Sequence, residues 1–186
     1  MSDLDAVTAL LAVETPERAA ELSKPEALLG GALSYARIGW PVFPLKPGGK
    51  TPIVEHWREQ ASTDENVVRA WWAATPHANI GAPTGLRFDV VDIDAPAGYE
   101  SWQHLRAGWL ESGASVNLLG CTATGGGGRH LLVEANPFAP NGANFLPGLD
   151  YRGLGGYVVL PPSRLHAGDR YVWTLPPRAA ITGGAA

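Results

Sequence analysis

Apolar positions along the chain fall into short blocks, and the spacing within each block predicts its element. Leu4 to Glu14 has the pattern of an amphipathic helix, and Thr15, Pro16 and Glu17 read as an N-cap with proline at the first helical position of a second one. A capping box at Ser23 and Glu26 opens a helix through Ala27, Leu28, Ala32, Tyr35 and Ala36 that stops at Gly39. Trp40 to Leu45 is a short apolar strand interrupted by Pro41 and Pro44, and Lys46 to Pro52 is a Gly/Pro loop. A second capping box, Ser62 and Glu65, starts a helix through Val68, Trp71 and Trp72 that ends before Pro76.

Strands are then predicted at Asn79 to Ala82 and at Leu86 to Asp94, followed by a helix from Tyr99 to Leu110. Strands at Leu118 to Thr124 and Arg129 to Glu134 flank four glycines, Gly125 to Gly128, as a hairpin with a permissive loop. Asn136 to Pro147 reads as a proline-punctuated connection. Strands at Leu149 to Arg152, Tyr157 to Leu160 and Arg170 to Leu175 close the order. The expected class is α/β in the wider sense that includes α+β, a mixed sheet covered by helices. Residues 1–22 are expected to form an acidic helical appendage, 23–175 the main domain and 176–186 a linker-like tail.

Composition narrows the function classes. With 186 residues the chain suits one domain and a small appendage. Cys121 is the single cysteine, so an internal disulfide and the usual structural zinc sites are excluded. No uninterrupted apolar run approaches the ~20 residues of a membrane span, and acids stand where a signal peptide would be basic. A cytoplasmic protein with no membrane partner is expected. The net charge is −4. Residues 1–26 hold six acids against Arg18 and Lys24, so the remainder balances at zero and is compatible with weak binding of nucleic acid.

Three segments carry candidate chemistry. Val90, Val91, Asp92, Ile93 and Asp94 form an apolar strand ending in two carboxylates that period-2 alternation puts on one face, with Asp89 on the other. Gly127, Gly128, Arg129 and His130 combine backbone N–H groups able to converge on an anion with a cation and an imidazole. Asp150 is a carboxylate on another apolar strand. Each has a bland reading: acids begin many loops, glycines make hairpin tips, and a lone Asp makes turns. Together they supply hard oxygen ligands suited to Mg²⁺ or Mn²⁺ beside a phosphate-receiving segment, the layout of two-metal nucleotidyl transfer. Gly49, Lys50 and Thr51 are similar to the end of a P-loop, but Pro44 stands where that motif requires glycine.

These segments, in this order, resemble the primase-polymerase branch of the archaeo-eukaryotic primase superfamily, found at the N-terminus of plasmid, phage and prophage replication proteins. The resemblance runs from Ala27 to Trp173 and includes Gly39 to Leu45, Lys50 and Pro52, Trp71 and Trp72, and Asn79 to Gly81. Val91 to Asp94, Gly127 to His130 and Leu149 with Asp150 match the three catalytic motifs, and Gly155 to Val159, Pro161 to Ser163, Gly168, Tyr171 and Trp173 the closing segment. It implies a catalytic sheet related to the RNA-recognition fold with an N-terminal α/β unit. It further implies metal ligands at Asp92, Asp94 and Asp150, and nucleotide contacts from His130, Arg129, Gly127, Gly128, Ser163, Lys50 and Arg152. Single-stranded DNA template and primer, an NTP or dNTP, and a replicative helicase in cis or in trans are the implied partners. The cysteine-rich zinc stem of some relatives is missing. A non-catalytic nucleic-acid binding module and a metal-dependent nuclease are the rival readings.

Overall fold

The computed structural model describes residues 25–112, 117–166 and 169–178; the expected helices before Ser23, the Ser23 cap and the end of the tail lie outside the described residues. Helix α1 (Pro25–Arg37) leads to strand β1 (Phe43–Leu45), a single-turn helix α2 (Trp57–Gln60), helix α3 (Glu65–Ala74) and strands β2 (Asn79–Pro83) and β3 (Asp89–Ile93). Helix α4 (Ala97–Glu111) follows, then β4 (Leu118–Ala123), β5 (Arg129–Val133), β6 (Gly142–Leu146), β7 (Leu149–Arg152), β8 (Tyr157–Leu160) and β9 (Val172–Leu175). The strands form two antiparallel sheets, one ordered β1-β2-β8 and one ordered β6-β7-β3-β5-β4-β9. This is a mixed α+β fold, and it refines the single mixed sheet expected from the element order.

Alternation along β3 and β5 divides the large sheet into two apolar faces. Val91, Ile93 and Leu131 face Tyr99, Trp102 and Leu105 of α4, in a cluster that also buries Leu149 and the thiol of Cys121. Val90 and Leu132 face the other way, into a larger core with Leu28, Tyr35, Trp40, Val68, Trp72, Ile80 and Leu160 from the helices and the small sheet. Trp40 and Phe88 meet at 4.5 Å between ring centroids. Three of the polar tips in this core are satisfied, while Trp40 Nε1 has no hydrogen-bond partner among the described residues: Tyr35 donates to the Pro161 carbonyl at 2.6 Å, Trp173 Nε1 donates to Tyr35 Oη at 2.6 Å, and Trp72 Nε1 to the Ala78 carbonyl at 3.0 Å.

Local chemistry explains where the elements depart from expectation. Helix α3 is capped by Asp64, whose carboxylate accepts from the Asn66 N–H at 2.7 Å, and not by Ser62, which accepts from the Asp64 N–H one turn earlier at 3.0 Å. Glu65 is thereby released to pair with Arg37 at 2.9 Å and Arg69 at 3.3 Å. The strand expected from Leu86 begins only at Asp89, because Gly85 turns at φ +82° and holds Leu86 and Arg87 in a bend. The connection expected from Asn136 to Pro147 contains β6, an edge strand whose outward residues Ala143 to Phe145 are exposed.

Candidate active site

Strand pairing builds the site as a row. Asp92 on β3 stands opposite Asp150 on β7 and opposite His130 on β5, and His130 stands opposite Thr122 on β4. Directly opposed residues on antiparallel strands project from the same face ~4.5 to 5.5 Å apart. The row lies on the face of Val90 and Leu132, one alternation further along, where the apolar core gives way to a cleft.

The cleft has a volume of about 360 Å³, within the usual range for small-molecule sites. Asp92, His130 and Arg152 line it from the large sheet and Asn141 from the loop before β6; Lys50, Trp57, Arg58 and the Gly155 to Val159 segment line it from the small sheet and its loops, with Tyr171 beside them. Trp57 is stacked on Phe43 at 5.0 Å and set edge-on to Tyr157 at 4.8 Å. Arg58 lies over the Trp57 ring at 5.1 Å and donates to the Gly155 carbonyl, so its cation is held at the rim. Lys50 is fixed by its loop: its carbonyl accepts from Tyr157 Oη at 3.1 Å, and the neighbouring Gly49 carbonyl accepts from Asn79 Nδ2 at 2.9 Å.

Charge is concentrated and only partly compensated. Arg152 Nη2 reaches Asp150 Oδ2 at 2.5 Å and Asp92 Oδ2 at 3.5 Å, bridging the two carboxylates, while the other oxygen of Asp150 accepts from the Asn144 N–H at 2.7 Å. Burial pushes the Asp92 carboxyl above its ordinary range; Arg152 opposes that rise and Asp150 adds to it. His130 is 6% exposed, with Nε2 3.4 Å from Asp92 Oδ1 and with Nδ1 lacking a partner. Burial first, then the cations of Lys50 and Arg152, push its pKa down to about 3 against the attraction of Asp94. The imidazole is therefore neutral, and its closeness to Asp92 is not a salt bridge.

The predicted site residues divide into those inside the cleft and those used elsewhere. Asp92, His130, Lys50 and Arg152 line the cleft, and Asp150 joins them through its ion pair with Arg152 and its register with Asp92. Asp94 lies one residue beyond β3, exposed, its N–H bonded to the Gly148 carbonyl at 2.8 Å, so strand alternation does not set its direction. Among the described residues no three acids, histidines or cysteines are gathered as a metal cluster. The pair Asp92 and Asp150 nevertheless fits a hard divalent cation, as two carboxylates facing each other across paired strands whose mutual repulsion is relieved chiefly by Arg152.

Ser163, expected at the nucleotide, is fully buried outside the cleft, its hydroxyl accepting from the Ile80 N–H at 2.8 Å while its carbonyl accepts from Tyr171. Arg129 falls on the face opposite His130 and donates to the Gly128 carbonyl at 2.8 Å. Gly128 is required because a Cβ would strike the Ile93 carbonyl oxygen, and Gly127 turns at φ +81° with its carbonyl held by Tyr99 Oη at 2.7 Å. The two glycines serve the hairpin. Trp57, Arg58, Asn141 and Tyr171 were not anticipated as lining; each belongs to a segment brought to the cleft only by the tertiary fold.

The sequence pattern of one family, described as Prim-Pol, bifunctional DNA primase/polymerase, N-terminal, matches residues 32–182. No curated protein matches the chain.

Proposed function

We propose that this chain, which belongs to the Prim-Pol family of bifunctional DNA primase/polymerases, uses the row Asp150–Asp92–His130 for DNA-template-directed nucleotidyl transfer, in primer synthesis, primer extension or both. The observation that carries this reading is the register itself. It sets two carboxylates and an imidazole from three adjacent strands side by side, with Asp92 and His130 lining a cleft that also holds Lys50 and Arg152.

Asp92, Asp94 and Asp150 would hold Mg²⁺ or Mn²⁺, which supplies acidification of the attacking hydroxyl and neutralisation of the leaving phosphates. The remaining work falls to the chain's own groups. Lys50 and Arg152 bind the triphosphate, Arg152 exchanging part of its contact with the carboxylates for phosphate oxygens. His130 is neutral and carries one N–H, which can serve a phosphate oxygen without adding a charge that would have to be desolvated. Arg58, fixed over Trp57, confines the substrate at the mouth. Single-stranded template and primer, and a replicative helicase in cis or in trans, are the partners this role requires; among the described residues no helix is long and apolar enough to cross a membrane.

The test offers labelled NTPs or dNTPs with single-stranded template, with and without primer, in Mg²⁺ and in Mn²⁺. Incorporation that follows the template sequence is the expected result. Template degradation, or binding without incorporation under every condition, would overturn the proposal.

A further inference from the structure

Asp89 takes no part in the cleft, yet it is fully buried and fully used. Its Oδ1 accepts from the Gly85 N–H at 2.9 Å, and its Oδ2 accepts from the Asn136 N–H at 2.8 Å and from Tyr151 Oη at 2.6 Å. One carboxylate thus ties the bend at Gly85 and Leu86 to the start of the Asn136 to Asn141 loop. That loop is further fixed to the segment after β7: Leu154 donates to the Ala139 carbonyl at 2.9 Å, and Asn141 donates to the Leu154 carbonyl at 3.2 Å. Gly85 packs directly on the Leu154 backbone, where a Cβ would collide.

The result is an ordered rim that shows apolar groups to water. Phe138 is 91% exposed, Leu86 55% and Leu154 52%. Phe138 is held out by design of the backbone, its N–H bonded to Asn136 Oδ1 at 3.0 Å. Exposed apolar groups carried by segments bonded to one another mark an interaction surface more often than an accident of folding. The same rim meets the cleft, since Asn141 and Gly155 line it, and Phe138 stands three residues from Asn141, at most about 11 Å along the chain.

Charge selects the occupant. The three segments, residues 84–88, 136–141 and 153–156, contain no Asp or Glu and carry Arg87 on the bend, with Arg58 bonded to Gly155; of the acids and the cation that flank them, Asp89 is buried, Arg152 is paired with Asp150, and Glu134 is exposed before the loop. An exposed aromatic ring on an acid-free rim that also carries Arg87 and Arg58 is the combination that binds an unpaired nucleic-acid strand, with bases stacking on the ring and phosphates tracking the cations. We infer that the Phe138 rim, with Leu154 and Leu86, is a stacking platform for the single-stranded template as it enters or leaves the cleft. This rests on the reading that the cleft works on a nucleic-acid strand.

Fluorescence anisotropy of labelled oligo(dT) tests it in the full chain. Phe138→Ala should weaken binding by about 5- to 100-fold, the range for loss of one base–aromatic stack. The loss should persist as salt is raised, because stacking is not screened. Phe138→Trp should restore binding, and Phe138→Leu should not, although it keeps most of the apolar area. The side chain is so exposed that the melting temperature should not move. Equal affinity of Phe138→Ala and wild type overturns the proposal and returns the patch to a protein partner; equal rescue by Leu and Trp overturns stacking. Phe138-dependent binding in a protein that incorporates no nucleotide supports the platform while sinking the catalytic reading. Incorporation with Phe138-independent binding does the reverse.

Discussion

Asp89 and Asp92 lie on one strand, three residues apart, on opposite faces of the large sheet. Asp89 is the more buried of the two, and both its oxygens accept, from three donors in all. Asp92 is answered by a shared guanidinium at 3.5 Å, faces a second carboxylate across the strand pair, and has a neutral imidazole as its other neighbour. The first arrangement spends a carboxylate on fixing two loops; the second keeps one under-satisfied beside open space. A buried acid that is fully bonded stabilises a fold, whereas one held short of partners is available to a ligand.

The comparison breaks most visibly through activity. Asp92→Asn should abolish nucleotide incorporation while leaving the protein folded, and in metal-free buffer its melting temperature should rise, by ~2 to 4 °C for each kcal/mol of repulsion and desolvation relieved. Retained primer extension in the purified variant would remove Asp92 from the mechanism. Asp89→Ala should behave in the opposite sense. It strands the Asn136 N–H and the Tyr151 hydroxyl and leaves the Gly85 N–H only its bond to the Phe88 carbonyl, so urea unfolding should show a loss of at least about 2 kcal/mol. A loss below ~1 kcal/mol would mean that water replaces the carboxylate and that the loops do not depend on it.

His130 sharpens the contrast. His130→Ala should weaken nucleotide binding ~10- to 100-fold with little effect on binding of single-stranded DNA, and an equal loss in both titrations would mark a purely structural histidine. The smallest expected effect is on the pH profile of stability. His130 binds its proton near pH 6.5 when unfolded and only near about 3 when folded, so the unfolded state holds more protons and stability falls as pH drops from 6.5 toward 3. Asp92, shifted upward, contributes with the other sign: it destabilises the metal-free fold at neutral pH and is relieved as pH falls through its raised pKa. His130→Ala should flatten the acid limb in thermal melts, and Asp92→Asn should steepen it. Identical profiles in all three proteins would mean that neither group is desolvated as the fold implies.

Strand alternation was enough to set Asp92 against Asp89, and motif order brought His130 and Asp150 to the same place. The first rests on period-2 geometry inside a well-formed strand, which a sequence states directly; the second rests on the three motifs taken together and on the family resemblance, since alternation within a strand does not say which strands pair. What was hidden came from outside those strands. Asp94 sits past the last residue of β3, where alternation no longer applies. Ser163 carries the right chemistry, but its hydroxyl is consumed by a backbone N–H on another strand, a contact visible only after folding. The cleft wall of Trp57 and Arg58 comes from a four-residue helix entered through His56 at φ 49°, a backbone state that no residue pattern there announces. Strand β6 was obscured because it is an exposed edge flanked by prolines and lacks an apolar alternation.

Cys121 sits on β4 beneath helix α4, fully buried, with burial pushing its thiol above the ordinary range. Only a thiolate reacts readily, so the native protein should resist alkylation, and each labelling event should record an excursion that lifts the helix from the sheet or parts the strands beneath it. The single sulfur thus works as a clock for breathing of the very sheet that carries His130 on the adjacent strand. Run with and without nucleotide, that clock would time how far an occupied cleft stills the scaffold under it, with no residue changed.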